Sequence, residues 1–344
     1  MEKSISLKSI LVIVFSFLLQ TISYAQTQSI SSPDGQLIIV FETVKNKQVA
    51  EAGQLVYSVT FDEKPLISRS NLGLEFQGEP LLGADVKILD VKRSSEEQSY
   101  KLYAGKTNHV NDSFNSLKIS LKEDAGSGRR LDIEARAYND AVAFRYIVPE
   151  QSGIDEFRLT GEKTEFKISK DAFTYTQMLP PTILSHEAKH SYESGYVKLP
   201  IASFSCPGSI VNDVVIGLPI LMEVPGVAWL AINEADLRDY TSMYLTTLEN
   251  RWAGHWLEAV ILPQKEDTSV CVTGTLPLNS PWRILQVGDD PGKLIESNIL
   301  TNLNKENVIE NPSWIKPGKA AWNWWNGSIG AEGERDFSNE GMKY

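Results

Sequence analysis

The chain has 344 residues, 42% hydrophobic and 22% charged, with a formal net charge of −11. That length and apolar content allow one large domain or two ordinary ones around a real core. The acidic balance speaks against nucleic acid or an anionic membrane as partner and says nothing against a neutral substrate such as a sugar.

The first residues read as a targeting segment. Glu2, Lys3 and Lys8 lie in a short polar start, and Ile10 to Leu19 is an apolar run too short to span a bilayer comfortably. Ser23-Tyr24-Ala25 places small residues at −3 and −1 of a cut before Gln26, so residues 1–25 are expected to be a signal peptide of an exported, periplasmic protein. No cysteine follows the apolar run, which excludes a lipid anchor at that point.

Ser32-Pro33-Asp34-Gly35 is a turn signal, and Leu37 to Glu42 reads as a strand. Leu55, Tyr57, Val59 and Phe61 alternate with mostly polar neighbours, and Asp62-Glu63-Lys64 offers a turn out of that strand. Leu117, Ile119 and Leu121 alternate with Lys118, Ser120 and Lys122; Leu131, Ile133, Ala135 and Ala137 do the same across the glycine-bearing loop Glu123 to Arg130. Val142, Phe144 and Tyr146 continue the pattern. Further strand-like pieces are Val214 to Ile220, Val227 to Ile232, Trp256 to Leu262 and Ser269 to Val272. Many short alternating strands separated by turn signals predict a mostly β protein built as a large β-sandwich. Leu294 to Leu303 reads as helical or irregular, and Ala320 to Trp325, inside a tryptophan-dense segment, as a buried strand. Cys206 and Cys271 are the only cysteines, and spacing leaves their pairing open.

One short motif needs weighing. His186-Glu187-Ala188-Lys189-His190 fits H-E-x-x-H, which on a helix puts two imidazoles on one face for zinc with the glutamate as general base. Pro180, Pro181 and Gly195 bracket it closely, no apolar stripe runs through it, and His109 and His255 sit at the wrong spacing for a third ligand. A zinc peptidase is the remote reading; solvated histidines in a loop beside a cleft is the plainer one.

Four segments in order resemble glycoside hydrolase family 97: Arg136 to Tyr146 (RAYNDAVAFRY), Asn233 to Leu245 (NEADLRDYTSMYL), Ser280 to Asp290 (SPWRILQVGDD) and Ser313 to Asn326 (SWIKPGKAAWNWWN). The resemblance runs from about Ser32 to Tyr344. It implies a galactose-mutarotase-like super-β-sandwich over residues 26–311, followed over 312–344 by only the first strand of a truncated catalytic (β/α)8 barrel. Such a barrel needs about 250 residues, so the catalytic carboxylates are expected beyond residue 344 and this chain by itself is expected to be inactive. The implied function is the N-terminal part of a calcium-dependent, exo-acting α-glucosidase or α-galactosidase acting on α-linked oligosaccharides; the alternative is a stand-alone carbohydrate-binding module. The resemblance also implies one calcium ligand from the sandwich, in a segment like Y-E-x-x-Y. Tyr192 to Tyr196 matches it, making Glu193 the expected calcium and substrate contact and Glu187 the reserve. Trp325 and Asn326, at the end of the expected barrel strand, are the other candidate substrate contacts; Glu234 and Arg145 are expected to be structural. One departure is Ala141, where the family carries glycine; at a positive-φ turn it is expected to cost about 1 kcal/mol.

Overall fold

The structure is a computed structural model that describes residues 27–45, 53–124, 126–151, 153–185, 195–204, 215–247 and 254–319. Residues 1–25, the predicted signal peptide, and 320–344, with the predicted barrel strand, lie outside them. The described residues fall into two compact units. One takes in residues 27–97 and 113–304; the other takes in 98–112 and the chain from Lys305.

The first unit is two large antiparallel sheets and one small one. The first large sheet runs from Thr27–Ser31 through Leu37–Lys45, Gly53–Phe61 and Lys64–Asn71 to Glu165–Ile168. It continues through Trp256–Ile261, Met243–Thr246 and Val215–Ile216 to the last residues of Phe173–Leu179. The second sheet runs from residues 115–122 of strand His109–Glu123 through Arg130–Ala137, Ala141–Val148 and Trp282–Gly288 to Ala228–Ala235. It then passes through Ile220–Val224 and Phe173–Leu179 to Tyr196–Pro200. Strand Phe173–Leu179 therefore belongs to both sheets, its first residues to one and its last to the other. Leu74–Phe76, Phe157–Glu162 and Val272–Gly274 form the small third sheet.

Period-2 alternation decides which side chains meet. Ile39, Phe41, Tyr57 and Val59 of the first sheet and Val142, Phe144 and Tyr146 of the second share one buried core. Phe144 meets Tyr57 at 4.9 Å and Phe41 edge-on at 6.1 Å, so the sheets pack face to face through their aromatic rows. The predicted sandwich is the fold observed.

Boundaries differ where one residue overrides the pattern. The expected strand Val214 to Ile220 is two strands, Val215–Ile216 and Ile220–Val224, in different sheets. Pro219 stands between them and has no N–H for a ladder. The strand expected at Ser269 to Val272 starts only at Val272, because Asp267 holds Ser269 in a turn: its Oδ1 accepts from the Ser269 amide at 3.1 Å. Asp62 and Glu63 both adopt positive φ, 49° and 62°, which makes the predicted turn a tight two-residue hairpin link. Leu294 to Leu303 resolves into two short helices, Pro291–Glu296 and Ile299–Asn302, the first capped by Asp290. Strand Val86–Lys101 escapes the sequence pattern because most of its residues are exposed, leaving no apolar period to read.

In the second unit the backbone of Leu102 donates to Asn108 O at 2.9 Å, closing a turn, and Gln98 Nε2 donates to Asp112 Oδ2 at 2.7 Å. A single 3-10 turn, Pro312–Trp314, follows in its C-terminal part. No helix among the described residues is long and apolar enough to cross a membrane.

Candidate functional site

Three of the four resemblance segments become neighbouring strands. Ala141–Val148, Trp282–Gly288 and Ala228–Ala235 lie side by side, with Phe144 opposite Arg283 and Arg283 opposite Glu234. Because successive side chains point to opposite faces, each segment contributes to two different places.

On the inner face the segments build a buried charge network. Arg283 is 0% exposed. Its Nε donates to Glu162 Oε1 at 2.8 Å, its Nη2 to Glu162 Oε2 at 2.5 Å and its Nη1 to Glu234 Oε2 at 2.7 Å. Thr164 Oγ1 donates to Glu162 Oε1 at 2.7 Å and Tyr240 donates to Oε2 at 3.0 Å, so Glu162 accepts four hydrogen bonds. Thr164 has one hydroxyl hydrogen and spends it on Glu162; Tyr146, 2.7 Å away, is therefore the donor in its contact with Thr164. Glu234 accepts from the Met243 amide at 3.2 Å. The network ties the small sheet, the second sheet and the start of strand Met243–Thr246 together.

Burial pushes the Glu162 carboxyl up, but the Arg283 charge and its hydrogen bonds outweigh that and hold it below its ordinary value. Glu234 goes the other way: burial raises it, and its single contact with Arg283 does not compensate. Tyr146 and Tyr240 are raised well above their usual value, chiefly by burial, so both remain protonated donors. The arrangement is a fixed internal clamp. Glu234 is structural, as expected from sequence.

On the outer face the same segments build an aromatic patch. Trp282, Ile284, Ala143, Ala235, Phe114 and Tyr138 cluster with Ile299 and Leu303 of the second helix region. The guanidiniums of Arg136 and Arg145 lie 5.0 and 4.5 Å from the Trp282 ring. Arg145 also donates to Glu134 Oε2 at 2.6 Å and stands 3.6 Å from Asp236, which fixes it as a structural bridge.

The residues singled out from sequence as substrate and calcium contacts, Glu193, Trp325 and Asn326, lie outside the described residues. So do His186 to His190 of the zinc-like motif, the reserve Glu187, and Cys206. Leu179 pairs with Val215 and Val215 with Thr246, so these residues lie side by side at the ends of neighbouring strands. Those ends are held by a small cluster of Leu179, Ile183, Val215 and Tyr244. Tyr196, the last residue of the Y-E-x-x-Y match, opens strand Tyr196–Pro200 and is 64% exposed. Among the described residues, no three His, Cys, Asp or Glu side chains converge to hold a metal ion. Cys271 is a buried free thiol, pushed up to about 11 by burial.

Comparison with known proteins agrees with this architecture. The family model described as glycosyl-hydrolase 97 N-terminal matches residues 30–305. A retaining alpha-galactosidase of Bacteroides thetaiotaomicron is 24% identical over 321 residues, 88% of this chain and 45% of its own length. A probable retaining alpha-galactosidase of Streptomyces bingchenggensis is 24% identical over 279 residues, 80% of this chain and 38% of its own. A glycoside hydrolase family 97 enzyme from Pseudoalteromonas sp. strain K8, solved with panose and with acarbose, superposes with a TM-score of 0.74 at 26% identity; the match covers 88% of this chain and 42% of that enzyme. This chain therefore spans less than half the length of the relatives it matches. The two-sheet fold, the ordered segments on its central strands and the family match converge: the chain belongs to glycoside hydrolase family 97, of which it carries the N-terminal domain.

Proposed function

We propose that this chain is the scaffold and oligosaccharide-facing part of a calcium-dependent, exo-acting α-glycosidase, an α-glucosidase or an α-galactosidase. The observation that carries this reading is the family match across residues 30–305. The alpha-galactosidase relatives and the panose and acarbose complexes support an α-linked oligosaccharide as substrate. Glycoside hydrolysis needs two carboxyl groups flanking the scissile bond. In this reading they come from a catalytic barrel that follows the sandwich, and the chain by itself does not turn over substrate. The sandwich contributes Glu193 as one oxygen ligand of calcium, a hard cation that favours carboxylates, and Trp325 and Asn326 as substrate contacts. The protein is exported to the periplasm after cleavage following Ala25.

The test is hydrolysis of p-nitrophenyl α-glucoside and α-galactoside by the complete product of the gene, with calcium and with a chelator. The expected result is cleavage of one of the two, lost on chelation and restored by calcium. In the Glu193→Gln variant, half-maximal activity should need at least tenfold more calcium. Absence of cleavage of both substrates would overturn the glycosidase reading, and chelator-insensitive cleavage would overturn the calcium assignment.

A further inference from the structure

A cavity of about 640 Å³ opens beside the small sheet, between the turn after Phe76, the loop before Arg129 and the loop after Val148. Small-molecule sites span roughly 300–1,000 Å³. Its floor is apolar: Leu82, Val148 and Phe157 are buried, and Phe76 meets Phe157 edge-on at 6.2 Å. Its rim carries both signs, with Lys122, Arg130 and Arg158 set among Glu79, Asp155 and Glu156.

The walls are fixed by their own hydrogen bonds. Arg129, 6% exposed, binds Glu123 through Nε at 2.9 Å and Nη2 at 2.6 Å, and Nη2 also reaches Pro80 O at 2.7 Å. Its remaining Nη1 is buried without a hydrogen-bond partner among the described residues. Arg158 donates to Gln77 Oε1 at 2.6 Å and to Asp267 Oδ2 at 2.5 Å. The Gln151 amide clasps the Arg130 backbone in both directions, at 2.8 and 3.2 Å. Three separate loops are thus locked to one another, and a site that is already ordered loses little on binding.

This chemistry selects its ligand. A purely apolar molecule would use the floor and gain nothing from the polar rim. An anion would face three carboxylates and a cation three basic groups. A pyranose has an apolar face to lay on the Phe157 floor and hydroxyls that both donate to carboxylates and accept from guanidiniums. We propose that the cavity is a binding site for a neutral oligosaccharide; the choice of α-linked sugars as its ligands rests on the glycosidase reading above.

The experiment is titration calorimetry of the 344-residue chain with maltotriose, raffinose and inorganic phosphate. Three variants are compared: Arg158→Ala on the exposed rim, Ile154→Trp to fill the space, and Phe173→Ala on the outer face of the second sheet as control, each checked for an unchanged unfolding midpoint. The expected result is saturable binding of at least one trisaccharide, weakened at least tenfold by Arg158→Ala and Ile154→Trp and unchanged by Phe173→Ala. Binding insensitive to both cavity variants, no trisaccharide binding, or binding of phosphate alone would each overturn the proposal. The glycosidase reading is separable, because hydrolysis is measured on the complete gene product. Hydrolysis without cavity binding removes only this site, and cavity binding without hydrolysis removes only the enzyme assignment.

Discussion

Glu162 shows how much one side chain can hold. It is fully buried, yet it lies below the ordinary carboxylate range because Arg283 and two hydroxyls satisfy its charge. Removing one partner of such a pair costs more than the pair contributes, since the other charge stays behind unpaired. Glu162→Gln is therefore expected to destabilise the protein by about 3–5 kcal/mol at neutral pH, measured by chemical denaturation. The pH dependence follows from the sign of the shift. A carboxyl depressed in the folded state contributes stability that is present above its unfolded value and lost as pH falls through its folded value. The wild-type protein should thus lose stability on acidification below the ordinary value of 4.5. In the variant the slope of that limb should fall by up to one proton, about 1.4 kcal/mol per pH unit. Glu234, raised rather than lowered, acts in the opposite direction, so its neutralisation cannot produce the same signature.

Among elements, the strand Ala141–Val148 is where the sequence expectation was furthest from the geometry. Ala141 was expected in a positive-φ turn, at a cost relative to glycine. The positive-φ residues other than glycine among the described residues are Asp62, Glu63, Asp236 and Asp239, so Ala141 carries no such strain. It opens the strand, fully buried, and its carbonyl accepts from the Tyr138 amide at 2.8 Å. The turn is closed without any left-handed residue at position 141. Its methyl group packs in the Trp282 patch. Ala141→Gly should therefore destabilise, by about 0.5–1 kcal/mol from backbone entropy with the lost methyl contacts in addition. A stabilised Ala141→Gly protein in thermal or denaturant unfolding would show that the turn prefers glycine after all.

For the molecule as a whole, the contrast lies between ladder-bonded sandwich and exposed tail. Strands from Thr27–Ser31 to Trp282–Gly288 are bonded on one or both sides around a shared core. Residues 305–319 have one 3-10 turn, and Val308 and Trp314 are 91% and 71% exposed. Cleavage favours backbone that is neither buried nor hydrogen-bonded. Limited trypsin digestion is expected to cut first after Lys305 or Lys319, and to spare Lys118 and Arg136, which sit in paired strands. First cuts inside the paired strands would contradict this ordering, and mass spectrometry of the early fragments decides it.

By itself the sequence determined the class of fold. Alternation in Leu117 to Leu121, Leu131 to Ala137 and Val142 to Tyr146 requires half-buried strands, because only a period of two puts those apolar side chains on one side. Four ordered segments also carried the family. Tertiary structure decided what alternation cannot encode. Arg283 and Glu234 look like surface residues of amphipathic strands, and only the distant Glu162 and Tyr240 make them an internal clamp. Arg129 and Gln151 come from separate loops and Arg158 from a strand of the small sheet, with no spacing to announce that they wall one cavity. Period and turn chemistry are local properties of a chain, whereas a charge cluster or a cavity exists only once strands far apart in sequence have been paired.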